Sequence, residues 1–282
     1  MLKSARFAFL LAAILAMAGC QKNFTAYALT STGSILKFDT SKPGTISNSV
    51  NISGLNTNQS VVQFDYQPST GTLFCITNDG FVCTVDPGTG VATVVANSGT
   101  PFTQNLGSGN NTVRLSNPAL SFDPVGGDMR VITTEYNLLV NPGTGLIDTT
   151  GTKAAFDNND TNKNKTPQIG GIAYSNPLAG ATNTTLYAID VTTASLLRVG
   201  DENVGNAGSA NGGDLHTIGL LNASLSSTTG FAISPSNGTA YASLQNGSGA
   251  ALYTVDLKSG AVTGLGSIGD GTKTVTSLVI SR

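Results

Sequence analysis

Beyond residue 24 the apolar positions fall in short runs, alternating with polar residues or standing together, rich in Val, Ile, Thr, Phe and Tyr and separated by Gly, Asn, Asp and Pro. That texture predicts strands, and no stretch after residue 24 shows the spacing of an amphipathic helix. Strands punctuated by similar turns direct attention to internal repetition. One recurring element is a strand running into a turn. "TVDPGTGVAT" (Thr84 to Thr93), "LVNPGTGLID" (Leu139 to Asp148) and "TVDLKSGAVT" (Thr254 to Thr263) are clear copies, and "KFDTSKPGTI" (Lys37 to Ile46) is a looser one. Asp or Asn at the strand end can accept hydrogen bonds from turn amides, Pro presets φ, and Gly takes the left-handed position before the next strand. These acidic residues are therefore read as turn formers.

A second element precedes the first: "VVQFDYQPSTGTLFCI", "ALSFDPVGGDMRVI", "GGIAYSNPLAGATNTTLYAI" and "GFAISPSNGTAYASL". Each is an apolar strand, a Pro/Gly/Asn turn and another strand. Joined, the two elements make a four-stranded unit recurring roughly every 50 to 60 residues, comparable with propeller blades. The C-terminus, "VTSLVISR", has the form of a first strand with nothing after it, and the N-terminal "FTAYALTSTGSILKFDT" has the form of the remaining strands with no first strand before them. Pairing the two completes a blade and removes exposed sheet edges. The expectation is an all-β, five-bladed propeller with blades at about 24–52 plus 275–282, 61–97, 119–150, 168–219 and 228–268, forming one domain over 24–282. A β-sandwich or an open repeat stack is the competing architecture.

The one long apolar stretch lies before the repeats. Lys3 and Arg6 precede an apolar core from Phe7 to Leu15, followed by small residues, the pattern of an export signal over residues 1–19. That core is far shorter than the roughly 20 apolar residues needed to span a bilayer. Two cuts are open in "AILAMAGCQK" (Ala13 to Lys22): after Ala18, or after Gly19 to leave Cys20 as the new N-terminus. Met17-Ala18-Gly19-Cys20 resembles a bacterial lipobox, although Met17 departs from the commoner Leu. Lipidation would explain a cysteine without an evident partner, since exported proteins seldom leave a thiol free. Multiple acyl chains anchor stably. Gln21 to Asn23 would then be a tether on the order of 10 Å.

The other cysteines, Cys75 and Cys83, flank Asn78-Asp79-Gly80 in "LFCITNDGFVC". A three-residue hairpin loop there sets them directly opposite one another. In an oxidising compartment they can bridge; otherwise they pack as two small apolar thiols.

The stretch from Val61 to Arg282, and the part from Phe24 before it, resembles an uncharacterised bacterial family of exported β-propellers known only as a domain of unknown function. The resemblance is carried by "FDPVGGDMRVI", "NLLVNPGTG", "IAYSNPLAGATNTTLYAID" and "GTAYASL…ALYTVDLKSGAVTGLG". It implies the propeller fold and export, and supplies no catalytic residue.

Charge and chemistry narrow the function classes. Charged residues are 11% of the chain, and the 14 basic and 16 acidic residues give a net charge of −2. No basic stripe exists to hold nucleic acid. The single histidine, His216, rules out a multi-histidine metal centre from this chain alone, and it alternates with apolar residues in a predicted strand. No G-x-S-x-G elbow is present, and the only glutamates, Glu135 and Glu202, form no acid/base motif. Asp157, Asn159, Asp160 and Asn162 gather oxygen atoms of the kind calcium favours, but without EF-hand spacing, so a solvated polar loop competes with a calcium site. There is no Trp, and Tyr174, Tyr187, Tyr241 and Tyr253 fall inside strand patterns as packing residues.

The longest links, Asn97 to Pro118 and Thr149 to Pro167, join blades. If the first strand of each unit is innermost, they share a face with the turns between second and third strands, the expected place for a binding surface near the axis. The functional expectation is a monomeric, lipid-anchored protein of the bacterial envelope, at the outer membrane on its periplasmic or surface face. Its propeller would bind or scaffold a protein or glycan without catalysis. The alternative is a metal-assisted hydrolase or lyase at the channel mouth, an idea resting on fold analogy.

Overall fold

A computed structural model describes residues 23–95, 100–106, 113–205, 208–223, 225, 229–245, 247 and 249–281. The predicted signal segment 1–19, Cys20, Gln21 and Lys22 lie outside the described residues, as do 96–99 and 107–112 of the first long link.

The strands form five antiparallel sheets. β1 (Thr25–Thr30), β2 (Ser34–Asp39) and β3 (Lys42–Asn51) join the last strand, β21 (Val275–Ile280), which pairs with β1 as Tyr27 against Val279 and Ala28 against Leu278. The second sheet is β4 (Val61–Tyr66), β5 (Leu73–Thr77), β6 (Val82–Val85) and β7 (Ala92–Val94), and the third is β8 (Ala119–Phe122), β9 (Met129–Ile132), β10 (Asn137–Val140) and β11 (Ile147–Thr150). The fourth holds β13 (Ile169–Tyr174), β14 (Thr184–Asp190), β15 (Ser195–Val204) and β16 (Asp214–Leu220), and the fifth β17 (Gly230–Ile233), β18 (Ala240–Gln245), β19 (Ala250–Val255) and β20 (Val262–Ser267). Helix is confined to a short 3-10 turn, Phe102–Asn105, and α1 (Gly208–Asn211) among the described residues.

The first strands β21, β4, β8, β13 and β17 neighbour one another in a closed ring about a central axis. This is a five-bladed propeller, closed by the N- and C-terminal strands as the repeat pattern predicts. One element departs from that pattern. The second long link carries a further short strand, β12 (Ala155–Phe156), which pairs in parallel with Asp214 and Leu215 of β16 and gives the fourth blade a fifth strand. Two residues are too few to leave a periodic trace in sequence.

Each blade packs against the next, so the apolar residues form five clusters at the seams rather than one central core. Leu36, Phe38, Leu252 and Leu278 join the first and fifth blades, while Leu29, Phe64, Cys75 and Val279 join the first and second. An inner strand has neighbours on both faces, so every residue of β8, β13 and β17 is buried. This explains why these strands read as largely apolar runs, with Ser121 the one hydroxyl in β8. A buried Leu, Ile or Phe contributes roughly 1.5 to 3 kcal/mol through removal from water.

The inner strands are also stitched by polar atoms. Ser277 Oγ accepts from the Phe64 N–H at 3.3 Å and donates to the Phe64 carbonyl at 3.1 Å. Asp65 Oδ2 accepts the Phe122 N–H at 2.8 Å, and Ser121 Oγ accepts the Tyr174 N–H at 3.3 Å. Where β13, β17 and β21 meet, close backbone approach replaces these contacts: a Cβ on Gly230 would lie 2.6 Å from the Leu278 nitrogen.

The turn motif behaves as the sequence predicts. Asp86 Oδ1 accepts from the N–H groups of Gly88 and Thr89, and Asn141 Oδ1 from those of Gly143 and Thr144. Gly90 and Gly145, both at positive φ (78° and 70°), donate back to the Asp86 and Asn141 carbonyls. These turns and those between first and second strands form the turn face. The opposite, link face carries the blade-to-blade connections and the turns between second and third strands.

Candidate functional site

The two ends of the inner-strand ring differ in shape and chemistry. At the turn face, Asp65, Ser121, Ala173, Phe231 and Ile280, one from each inner strand, enclose a recess of only about 40 Å³, bordered by Pro68, Pro177 and Pro235. Asp65 is the acid there. Its Oδ1 accepts from the Tyr66 N–H and its Oδ2 from the Phe122 N–H, both at 2.8 Å. Burial raises its pKa from the ordinary 3.8 to about 6, against the opposing effect of those N–H groups and the Ser121 hydroxyl.

The link face opens into a cleft of about 490 Å³. Its floor comes from the beginnings of β4, β13 and β21, and its walls from the β1–β2 turn and the segment entering β8. Hydroxyls of Ser31, Ser60, Ser116 and Thr276 and amides of Gln63 and Asn117 line it, together with the apolar Val61, Val62, Leu115 and Pro118. No charged side chain lines it among the described residues. Gln63 is 8% exposed, and its Nε2 donates to the Thr276 carbonyl at 2.8 Å. This bond fixes the amide and leaves Oε1 without a partner among the described residues. Asn117 is at positive φ (44°), a conformation asparagine adopts more readily than most residues, just before Pro118. A smaller hollow of about 140 Å³ adjoins the cleft through Leu115 and Ser116 and carries Arg114 and Glu135 on its walls.

The residues singled out from sequence scatter over the fold. Cys75 and Cys83 face each other across β5 and β6 with Cα atoms 4.9 Å and sulfurs 2.24 Å apart, and both are fully buried at the seam of the first two blades. Asp160 ties its loop to β16, accepting from the Thr217 hydroxyl and the Asn162 N–H, each at 2.8 Å, and from the Thr217 N–H. Burial pushes its carboxyl upward, but these donors outweigh it and hold the pKa below the ordinary range. Asp157 Oδ1 accepts the Asn159 N–H at 2.8 Å, and Asn162 Nδ2 donates to the Thr217 hydroxyl at 3.0 Å. Asp157 and Asp160 cap turns of the loop, Asp160 and Asn162 clamp it to Thr217, and Asn159 takes part through its backbone N–H. Among the described residues, no group of three or more His, Cys, Asp or Glu side chains is placed to hold a metal ion. His216 is half-buried opposite Arg198 in β16, Glu135 pairs with Lys153 at 3.0 Å on the surface, and Glu202 pairs with Arg198 at 3.4 Å.

Sequence reading missed a buried polar group at the seam of the third and fourth blades. Arg130, 0% exposed, donates through Nη1 to Asn137 Oδ1 at 2.8 Å and through Nε to the Tyr174 hydroxyl at 3.3 Å. Asn137 Nδ2 donates to the carbonyls of Thr152 and Ala210. Burial raises the Tyr174 pKa to about 12, with Arg130 opposing. The contacts organise the seam; they present no open surface to a substrate.

Five blades, four of them four-stranded and the fourth carrying the extra β12, closed by strands from both chain ends, define a β-propeller. Within that class, the chain belongs to the family described as Domain of unknown function (DUF4394), matched over residues 34–279. Comparison with curated proteins finds no match. Among solved structures, the chain is similar to Kuenenia stuttgartiensis hydrazine synthase (15% identity, TM-score 0.40, 79% of this chain and 51% of that one). It is also similar to the dihydro-heme d1 dehydrogenase NirN in complex with DHE (12%, 0.39, 85% and 42%). A third likeness is to PorZ, a surface component of the type-IX secretion system of Porphyromonas gingivalis (15%, 0.39, 88% and 29%). The chain thus spans about half or less of each of those chains. None of these likenesses bears on what this chain does.

Proposed function

We propose that this protein is an exported lipoprotein of the bacterial envelope, held by lipid on Cys20, whose propeller is a non-catalytic binding module that receives its ligand at the link-face cleft. The observation that carries this reading is the position of the cleft relative to the start of the fold. β1 begins at Thr25, which pairs with Asp39 and accepts the Ser281 N–H, all at the turn-face end of the first blade. A lipid on Cys20, separated from Phe24 by three residues and on the order of 10 Å of extended chain, would hold the turn face toward the bilayer. The 490 Å³ cleft would then open away from the membrane, toward ligands in the surrounding compartment. Its size lies in the ordinary range for ligand sites, its floor comes from strand ends, and its walls come from the β1–β2 turn and the end of the long link before β8.

Two measurements test the proposal. Mass spectrometry of the mature N-terminus is expected to find an acylated Cys20, and an unmodified chain beginning at Gly19 overturns the anchor. Capture from envelope extracts is expected to enrich a ligand that Ser60→Trp, which fills the exposed cleft rim, no longer retains. Specific turnover of a substrate with no stable partner overturns the non-catalytic reading.

A further inference from the structure

We infer that the link-face cleft takes an uncharged, hydroxyl-rich ligand, a sugar unit of a neutral glycan, with Gln63 Oε1 as the hydrogen-bond acceptor at its floor. The inference rests on the proposal that this cleft is the binding seat and specifies what sits in it.

Three observations select the chemistry. First, the cleft is lined by neutral groups: hydroxyls, amides and aliphatic side chains. An anionic or cationic ligand placed there would lose hydration without gaining an opposite charge, whereas hydroxyls exchange water for groups that both donate and accept. Second, Gln63 is more than nine-tenths buried and its orientation is fixed by the Nε2 bond to Thr276 O. Its Oε1 is therefore a prepositioned acceptor whose direction costs no ordering on binding. A ligand hydroxyl aligned with Oε1 gains that fixed acceptor, and a ligand without it forgoes the bond. Third, the polar and apolar groups are interleaved. Val61, Val62, Leu115 and Pro118 supply aliphatic surface beside Ser60, Ser116 and Asn117, and these three are exposed at the rim. A sugar ring presents the same mixture, C–H faces with hydroxyls around the edge. No aromatic ring lines the cleft, so flat aromatic ligands lack a stacking partner.

The test uses the purified protein on an array of neutral, acidic and amino oligosaccharides with uncharged tripeptides alongside, followed by calorimetric titration of the best disaccharide. Expected is binding confined to neutral saccharides, weakened at least tenfold by Gln63→Met and a few-fold by Ser60→Ala. The Ser60→Ala variant removes a rim hydroxyl without touching the fold, so it guards against a Gln63→Met variant that fails to fold. Preference for acidic or amino sugars overturns the assignment, as does neutral-sugar binding indifferent to both variants. Tripeptide binding that Gln63→Met abolishes keeps the cleft as the seat and overturns the sugar. If no saccharide binds, the sugar is overturned, and envelope capture then separates two outcomes. Capture still lost in Ser60→Trp leaves the binding reading standing, whereas capture that survives it removes the cleft as well.

Discussion

Replacing Asp65 by asparagine exchanges a carboxylate that titrates near neutrality for an amide that does not titrate. In the folded protein, burial at the turn-face recess raises the carboxyl from 3.8 to about 6. In the unfolded chain it ionises near its ordinary value. Between those values the folded state binds more protons than the unfolded state, so stability falls as pH rises through the interval and levels off above about 6. A shift of about two units corresponds to about 3 kcal/mol over the whole window, of which about 2 kcal/mol falls between pH 4.5 and 7. The asparagine variant loses this dependence. It can keep an acceptor toward the Phe122 N–H, but its amide nitrogen then faces the Tyr66 N–H, an offset that is the same at every pH. Urea unfolding followed by circular dichroism at pH 4.5, 5.5, 6.5 and 7.5 measures both proteins. Relative to wild type, Asp65→Asn should gain about 2 kcal/mol from pH 4.5 to 7 whatever its offset. Parallel stability curves, or a variant that loses ground as pH rises, refute the placement of a desolvated carboxylate at the centre of the ring.

Other substitutions probe the ring and its seams. Gly230→Ala places a Cβ 2.6 Å from the Leu278 nitrogen, and should lower stability by about 2 to 3 kcal/mol in the same urea assay, because backbone cannot yield there. Asn137→Ala removes an acceptor from the buried Arg130 and both donors to the Thr152 and Ala210 carbonyls; a loss of about 3 kcal/mol is expected, with Arg114→Ala on the exposed rim nearly neutral. Thiol titration of the unreduced, denatured protein should find Cys75 and Cys83 unreactive, and reduction should lower stability by about 2 kcal/mol for so short a loop. Full thiol reactivity at both positions would show two packed, unbridged cysteines.

The blade pattern was legible because it is written twice, in turn chemistry and in strand texture. Pro and Gly at fixed offsets from Asp or Asn mark where chains reverse, and the observed turns use those atoms. Closure was legible from an unpaired strand at each end, and β21 lies against β1. β12 was not legible, because its partner lies some 60 residues away and a two-residue parallel pairing has no local signature. The polar stitching was present in the sequence but unread. Gln63, Asp65, Ser121 and Ser277 interrupt otherwise apolar first strands, and Asp65 resembled the turn formers near it. Only the ring reveals that a neighbouring blade's backbone stands opposite each of them.

The same geometry explains why the two ends of one ring differ. At the turn face four inner strands turn back into the second strand of their own blade, β21 ends beside the start of β1, and Pro68, Pro177 and Pro235 border the recess, leaving about 40 Å³. At the link face each inner strand is entered from a blade-to-blade connection, and such connections carry no fixed length or turn type. The walls there can vary without disturbing the registers that hold the blades together. A cleft of about 490 Å³ results where the β1–β2 turn and the segment before β8 stand back from the axis. Since the chain also enters the fold at the narrow end, the open end is the one a lipid tether at Cys20 would leave free.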